Sequence, residues 1–413
     1  MKTIVFEDDV AARLHPATIG RPTYAISCGG YRLIDWIRRL DERRFGVVRP
    51  HLRSIQETDF ADLAEPPEND DRLALFVNAR LAPARDTYRQ LLKLSESERI
   101  GLARSDHAVT AAIVRLHDLP DSRTWAADNI VGSLIAAAGD EQFDFSPPLF
   151  EYPHDIVREN LEILRQNLEH RLATQEYREV RDGVFLAEGA SLGEHVVSDT
   201  GDGPIVLDQN ARIGPYCFLS GPAFIGSAAR VIEHSAIKDG VSVGHTCKIG
   251  GEVEASVIEP YSNKQHYGFL GHSYLGSWIN LGAGTCNSDL KNTYGKVNME
   301  YNGVKTPTKM QFVGCIMGDY AKTAINTGIF TGKTIGACSM VYGFVTENVP
   351  SFVNYARLFG QVAELPPEVM IATQKRMFLR RDVAQRDCDK QLIHDMFDLT
   401  HVEREWTAGE LAF

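Results

Sequence analysis

The chain has 413 residues, 44% of them hydrophobic and 24% charged, with 34 glycines and 18 prolines. This excludes a disordered chain, a collagen and a disulfide-stapled miniprotein, and the length suits about two to three domains with real cores. With 43 Lys plus Arg against 55 Asp plus Glu, the formal charge is -12, which argues against nucleic acid or an anionic membrane as the main partner but leaves room for a local basic patch that holds phosphate.

The N-terminal stretch Lys2–Phe6 has a short apolar run followed by Glu7, Asp8 and Asp9. It reads as a first strand and not as a signal peptide. No apolar run approaches the ~18 residues of a membrane span. The 7 cysteines are scattered, without a C-x-x-C pair, as expected of reduced thiols in a cytoplasmic protein. Leu73–Val77 reads as a second buried strand. Thr87–Leu102 and Ala108–His117 carry apolar residues at helical spacing, and Asp155–Arg171 is an amphipathic helix with Ile156, Val157, Leu161, Leu164 and Leu168 on one face. Mixed strands and helices predict an α/β domain over residues 1–190.

A different pattern follows. Every sixth residue from Leu207 is apolar: Leu207, Ile213, Leu219, Ile225, Val231, Ile237, Val243, Ile249, Ala255. The phase returns as Phe269, Leu275, Leu281, and again as Met317, Thr323, Ile329, Ile335, Val341. A six-residue period is neither helical nor that of a flat strand. It predicts a parallel β-helix over 191–355, with three short faces per coil and glycine at tight corners. Residues 256–268 and 287–310 break the phase and read as loops on a binding side. Helices at Glu368–Arg381 and Asp387–Phe397, within a tail of residues 356–413, are expected to cap the open end of the β-helix.

Residues 266–285 carry His266, Phe269-Leu270-Gly271, Leu275-Gly276 and Asn280-Leu281-Gly282-Ala283-Gly284-Thr285. This segment resembles the left-handed β-helix acetyltransferases. It is most similar to the acetyltransferase half of the bifunctional N-acetylglucosamine-1-phosphate uridyltransferase/glucosamine-1-phosphate acetyltransferase family. Val77-Asn78-Ala79-Arg80-Leu81, Tyr152 to Asn160 and Tyr261-Ser262-Asn263-Lys264 extend the resemblance over nearly the full length. The resemblance implies His266 as catalytic base. It implies Asn263, Lys264, Phe269, Asn280, Asp289 and Lys296 as substrate contacts, and Tyr342 and Gly343 as contacts to acetyl-CoA. A histidine with an ordinary pKa near ~6.5 suits removal of a proton from a sugar amine as it attacks a thioester. Glu252 and Glu254 are candidates to fix the tautomer of His266, and His272 is a rival base. His234, His245, His266 and His272 lack a recognised zinc spacing.

Two departures from the family pattern stand out. Glu252-Val253-Glu254-Ala255-Ser256 occupies the stretch where the family carries lysines, which leaves Lys264 to supply positive charge. Arg13-Leu14-His15-Pro16-Ala17-Thr18-Ile19-Gly20-Arg21-Pro22 is similar to the nucleotide loop of sugar nucleotidyltransferases. The glycine cradle that precedes that loop is replaced by Asp9-Val10-Ala11-Ala12. Arg13 and Arg21 are the candidate nucleotide contacts. Asp8, Asp9 and Asn78 are candidates for the magnesium that an active domain would use, and each reads equally as a residue of a solvated loop.

The expectation is therefore a cytoplasmic, homotrimeric sugar-phosphate transferase. Its partners would be a sugar phosphate, an acyl-CoA and a nucleoside triphosphate. It would N-acetylate a glucosamine-1-phosphate-like sugar and form a UDP-N-acetylglucosamine-like product. A nucleotidyltransferase with a purely structural or regulatory β-helix, and a non-catalytic metabolite-binding trimer, remain as alternatives.

Overall fold

The computed structural model describes residues 1–105 and 108–405; the end of the expected tail, 406–413, lies outside the described residues. The chain divides into two compact units. One holds Met1–Leu14, Arg21–Ile26 and Tyr31–Tyr152; the other holds His15–Gly20, Ser27–Gly30 and the chain from Pro153 onward.

The first unit is built on strands β1 (Lys2–Phe6), β2 (Arg44–Val47), β3 (Leu73–Asn78), β4 (Gly101–Ser105) and β5 (Ala108–Arg115), in the order β2-β1-β3-β5-β4. β1 runs parallel to β2 and β3, while β5 is antiparallel to β3 and β4. Helices α1 (Leu33–Leu40), α2 (Arg53–Asp59), α3 (Arg85–Ser95) and α4 (Ile130–Ala138) belong to the same unit. Ile4, Phe6, Phe76, Val114, Trp125 and Leu134 share one core. The segment Ala108–His117 is a strand and not the expected helix. Val109 to Val114 are all buried, and a strand buried on both faces shows no alternation to read. The expected helix Thr87–Leu102 stops at Ser95, and Gly101 already starts β4.

The second unit opens with helix α5 (His154–Thr174). Asn160 fixes it to the solenoid that follows, donating to Gly240 O at 2.7 Å and accepting from Ser242 Oγ at 2.8 Å. Three faces of short parallel strands then wind into a β-helix. Leu207, Ile225 and Val243 stand one coil apart on one face; Ile213, Val231 and Ile249 do so on the next. All six are buried in one core. Ala211, Cys217, Ala223, Ala229, Val241 and Cys247, two residues ahead of the phase, are buried as well. Small side chains at those positions fill the corners of the prism. Ala229, which falls outside the six-residue series, is fully buried.

The phase slips where two coils shorten. Val253, not Ala255, stacks on Ile237, and Leu270, not Phe269, stacks on Val253. The chain then makes a long excursion that includes the hairpin Asn298–Tyr301 and Val304–Pro307. It rejoins in register, Leu275 pairing with Met317 and Leu281 with Thr323. Helices α6 (Pro367–Leu379) and α7 (Asp387–Leu399) complete the unit. The described chain thus carries the three expected parts: an α/β domain, a parallel β-helix and C-terminal helices.

Candidate functional site

One face of the β-helix presents a column of outward side chains, one per coil, paired in register: Arg212, Arg230, Lys248, Asn263, Asn280 and Lys322. Stacked parallel strands put successive members about 4.8 Å apart. The end of α6 lies against this column, and the two enclose a cleft of about 610 Å³. Its lining includes Lys248, Asn263, His266, Asn280, Lys322, Arg380 and Arg381, without a carboxylate. Tyr261 and Trp278 stack at 4.2 Å with planes 2° apart, and Phe378 of α6 packs on Trp278 at 4.4 Å. Arg381 donates to Asn263 Oδ1 at 2.7 Å. The tail helices therefore wall a cleft on the flank of the β-helix, a placement the expected end cap did not anticipate.

The charges in this cleft are poorly neutralised. The Lys248 ammonium is pushed down by burial and then by Arg381, Arg230 and Arg380. Lys322 is pushed down to about 8, mainly by burial; it donates to Tyr320 O at 2.8 Å. Arg381 is lowered by burial and by its cationic neighbours. Among the described residues the side chains of Lys248 and Arg380 make no hydrogen bond or ion pair.

His266 is exposed at the corner that follows this face. The cleft thus brings together three of the expected site residues, Asn263, His266 and Asn280. Tyr342 and Gly343 follow Val341 at the same corner, on a later coil; the stack there runs from Leu281 through Thr323 to Val341. Lys264 is corrected. It pairs with Ile249, so its side chain points into the prism. Its Nζ donates to Gly250 O at 2.8 Å and to His266 O at 2.7 Å, and it is 2% exposed. It braces the loop of His266 from inside and does not face a substrate. Glu252 pairs with Lys238 instead of orienting His266.

Phe269 and Asp289 lie at the next corner, around His272. Asp289 Oδ2 accepts from His272 Nδ1 at 2.8 Å, and the imidazole stacks on Phe312 at 5.1 Å. Glycine leaves room for both: a Cβ on Gly271 would stand 2.4 Å from Asp289 Oδ2 and from the Phe269 ring, and those side chains would have to shift. Asn287 points inward and bonds both backbone groups of Gly271, at 2.8 and 3.0 Å. The strand Phe269–Gly271 therefore separates two histidine corners, His266 at one end and His272 at the other. Lys296 is exposed on the excursion.

In the first unit, the strand ends around β1 form a topological switch point, where α/β sheets take ligands. Here internal ion pairs fill it. Glu7 is fully buried and accepts from Thr23 N, Thr23 Oγ1, Arg49 N and Arg49 Nε at 2.7–3.0 Å. Burial raises its carboxyl, but Arg49 and the hydrogen bonds outweigh burial and hold it below the usual range. Asp8 accepts from Arg80 Nε and Nη2 at 2.9 Å each, and Asn78 donates to Asp8 Oδ2 at 2.9 Å. With both oxygens of Asp8 held by a guanidinium, Asp8 and Asn78 do not fit a magnesium ion. A 3₁₀ turn, Asp9–Leu14, stands where the glycine cradle would be, with Arg13 exposed at its end and Arg21 half-buried beyond it.

The missed residues are Lys248, Tyr261, Trp278, Lys322, Arg380 and Arg381. The doublet Arg380-Arg381 was visible as sequence, but only the fold brings it to the column of Lys248 and Lys322.

Residues 3–175 match the family described as sugar nucleotidyl transferase. The bifunctional protein GlmU of Acaryochloris marina is 30% identical over 192 residues, which is 41% of this chain and 38% of that protein. GlmU of Synechococcus elongatus is 29% identical over 154 residues, 37% of this chain and 25% of that protein. The chain thus spans well under half the length of these curated relatives. A solved UDP-N-acetylglucosamine acyltransferase of Francisella novicida aligns with 55% of this chain and 76% of its own at 15% identity and a TM-score of 0.33. No helix of the described residues is long and apolar enough to cross a membrane. Residues 3–175 are thus similar to sugar nucleotidyl transferases, and part of the chain is similar to part of the bifunctional GlmU proteins.

Proposed function

We propose that the chain is a transferase whose β-helix moves an acetyl group from acetyl-CoA to the amine of an amino-sugar 1-phosphate, with His266 as general base. The observation that carries this reading is the convergence of His266, Asn263 and Asn280 on one cationic cleft. The imidazole of His266 accepts the amine proton as the nitrogen attacks the thioester carbonyl; the C–S bond breaks and coenzyme A leaves as the thiol. Asn263 and Asn280 offer amide groups for sugar hydroxyls, and the cations of the cleft face phosphate. Tyr342 and Gly343, on the same corner, are assigned to the coenzyme A side. β-Helix acyltransferases of this kind work as homotrimers, and a trimer is part of the proposal. The first unit is assigned a weak nucleotidyl-transfer role or none, because its switch point is filled by Glu7–Arg49 and Asp8–Arg80.

A second reading puts the base at His272, and the Asp289 bond favours it. A carboxylate on Nδ1 fixes the tautomer and leaves Nε2 as the acceptor. Thiol release from acetyl-CoA with glucosamine 1-phosphate tests both. Loss of turnover in His266→Ala alone supports the first reading, and loss in His272→Ala alone supports the second. No thiol release with the unmodified chain rejects both and favours a metabolite-binding or purely structural β-helix.

A further inference from the structure

The inward row Ile213, Val231, Ile249 is continued on the next coil by Lys264. An ammonium among apolar coils is costly, and a hydrophobic side chain of similar volume would fill the row without that cost. Burial lowers the ammonium to about 8, which leaves it mostly charged at neutral pH. What the charge gains is two charge-assisted hydrogen bonds, to Gly250 O at 2.8 Å and to His266 O at 2.7 Å. Gly250 is held in return, its N–H donating to Lys264 O at 2.6 Å. Gly251 keeps the space open: a Cβ there would stand 2.8 Å from Nζ. One side chain thus ties two successive corners of the β-helix, and the second is the corner of His266.

His266 needs such a tie. Its ring has no side-chain partner among the described residues, in contrast to His272, whose Nδ1 is held by Asp289. Glu252, a candidate to orient it, pairs with Lys238. Where no partner orients a ring, its placement is set by the main chain beneath it. The cleft wall passes through Asn263, Gln265 and His266 and does not include Lys264. We infer that Lys264 is a positioning residue, whose ammonium, working from inside the prism, fixes the main chain that carries His266 into the cleft. The inference rests on the acyl-transfer reading with His266 as base. Lys264 touches neither substrate, so it acts on the reaction only through His266.

The test is thiol release from acetyl-CoA with glucosamine 1-phosphate by the full chain, with Lys264→Met made in two backgrounds. Met fills the row and removes both donors. With His266 present, kcat is expected to fall at least about tenfold while both KM values stay within about twofold, because misplacing a catalytic group by ~1 Å costs up to about 10² in rate. In His266→Ala the same replacement is expected to change the residual turnover less than about twofold, since the base it positions is gone. A merely structural role would lower turnover by the same factor in both backgrounds. Hydrogen exchange of the amides around His266 gives a readout that needs no substrate. It is expected to quicken at least about tenfold in Lys264→Met, with the coils of Ile213 and Val231 unchanged. Lys264→Gln, shorter and uncharged, serves if Met impairs folding. Unchanged kcat, an equal loss in both backgrounds, or unchanged exchange overturns the inference and leaves the acyl-transfer reading standing. No thiol release by the unmodified chain rejects that reading, and the positioning role with it.

Discussion

His272 and Asp289 are joined through Nδ1 and Oδ2 at 2.8 Å across the base of the long excursion, whereas His266, on the other side of the same strand, has no side-chain partner among the described residues. The paired histidine has the better-fixed ring, and the free one stands in the cleft. Under the proposed mechanism His266→Ala lowers kcat by about 10²–10⁴, the usual worth of a general base. His272→Ala and Asp289→Asn should change kcat less than tenfold while loosening the Phe312 stack. Steady-state thiol release for the three variants, with proteolysis of the excursion as a second readout, checks this.

Ile225 and Ala229 are both fully buried in the β-helix. Aspartate at either position places a carboxylate among apolar coils with no cation at hand, which costs several kcal/mol. Ile225→Asp and Ala229→Asp should both melt far below the unmodified chain. A normal melting curve for Ala229→Asp would show that the corner series is not part of the core.

Lys264 gives a pH test. Burial pushes its ammonium down from 10.5 to about 8. Between those values the unfolded chain binds a proton that the folded chain has released, so this group adds stability as pH rises through the window. At pH 7 the full cost is present, on the order of 3 kcal/mol. Lys264→Met lacks this titration. The unmodified chain should therefore gain on the variant between pH 7 and pH 10, and chemical denaturation at both pH values measures the difference. A gap that stays constant would mean that the two carbonyl acceptors keep the ammonium at its ordinary pKa.

Arg80 is fully buried and holds Asp8 in a bidentate pair. Arg80→Met strands that carboxylate, and loss of one partner of a buried pair costs about 3–5 kcal/mol. The same pairing predicts little nucleotidyl transfer. Pyrophosphate release from nucleoside triphosphates with a sugar 1-phosphate and magnesium should fall well below the ~10 s⁻¹ typical of enzymes.

The β-helix was legible because its rule is local: each coil repeats Leu207, Ile225, Val243 at fixed spacing, and the core follows. The rule failed at Lys264, where a charged residue occupies an inward position. It also failed at Ala255 and Phe269, where shortened coils move the stack to Val253 and Leu270. Ala108–His117 was misread because burial on both sides erases periodicity. Asn263, His266 and Asn280 lie near one another in sequence, so a linear pattern found them. Lys248 and Arg381 are far apart and meet only through the packing of α6. The phrase running from Tyr152 to Asn160 carried a structural role: Asn160 ties α5 to the solenoid.

Leu275 pairs with Met317 as though the hairpin between them did not exist, and Thr323, Ile329, Ile335 and Val341 continue the stack beyond it. In a solenoid each coil touches only its neighbours, so a change of length inside one coil is not transmitted along the axis. The excursion hangs on the solenoid as a side branch: Asn287 and Gly271 hold its root, Tyr301 of its hairpin meets His154 Nδ1 at 2.8 Å, and the column that carries the cleft keeps its pairing across it, Asn280 with Lys322.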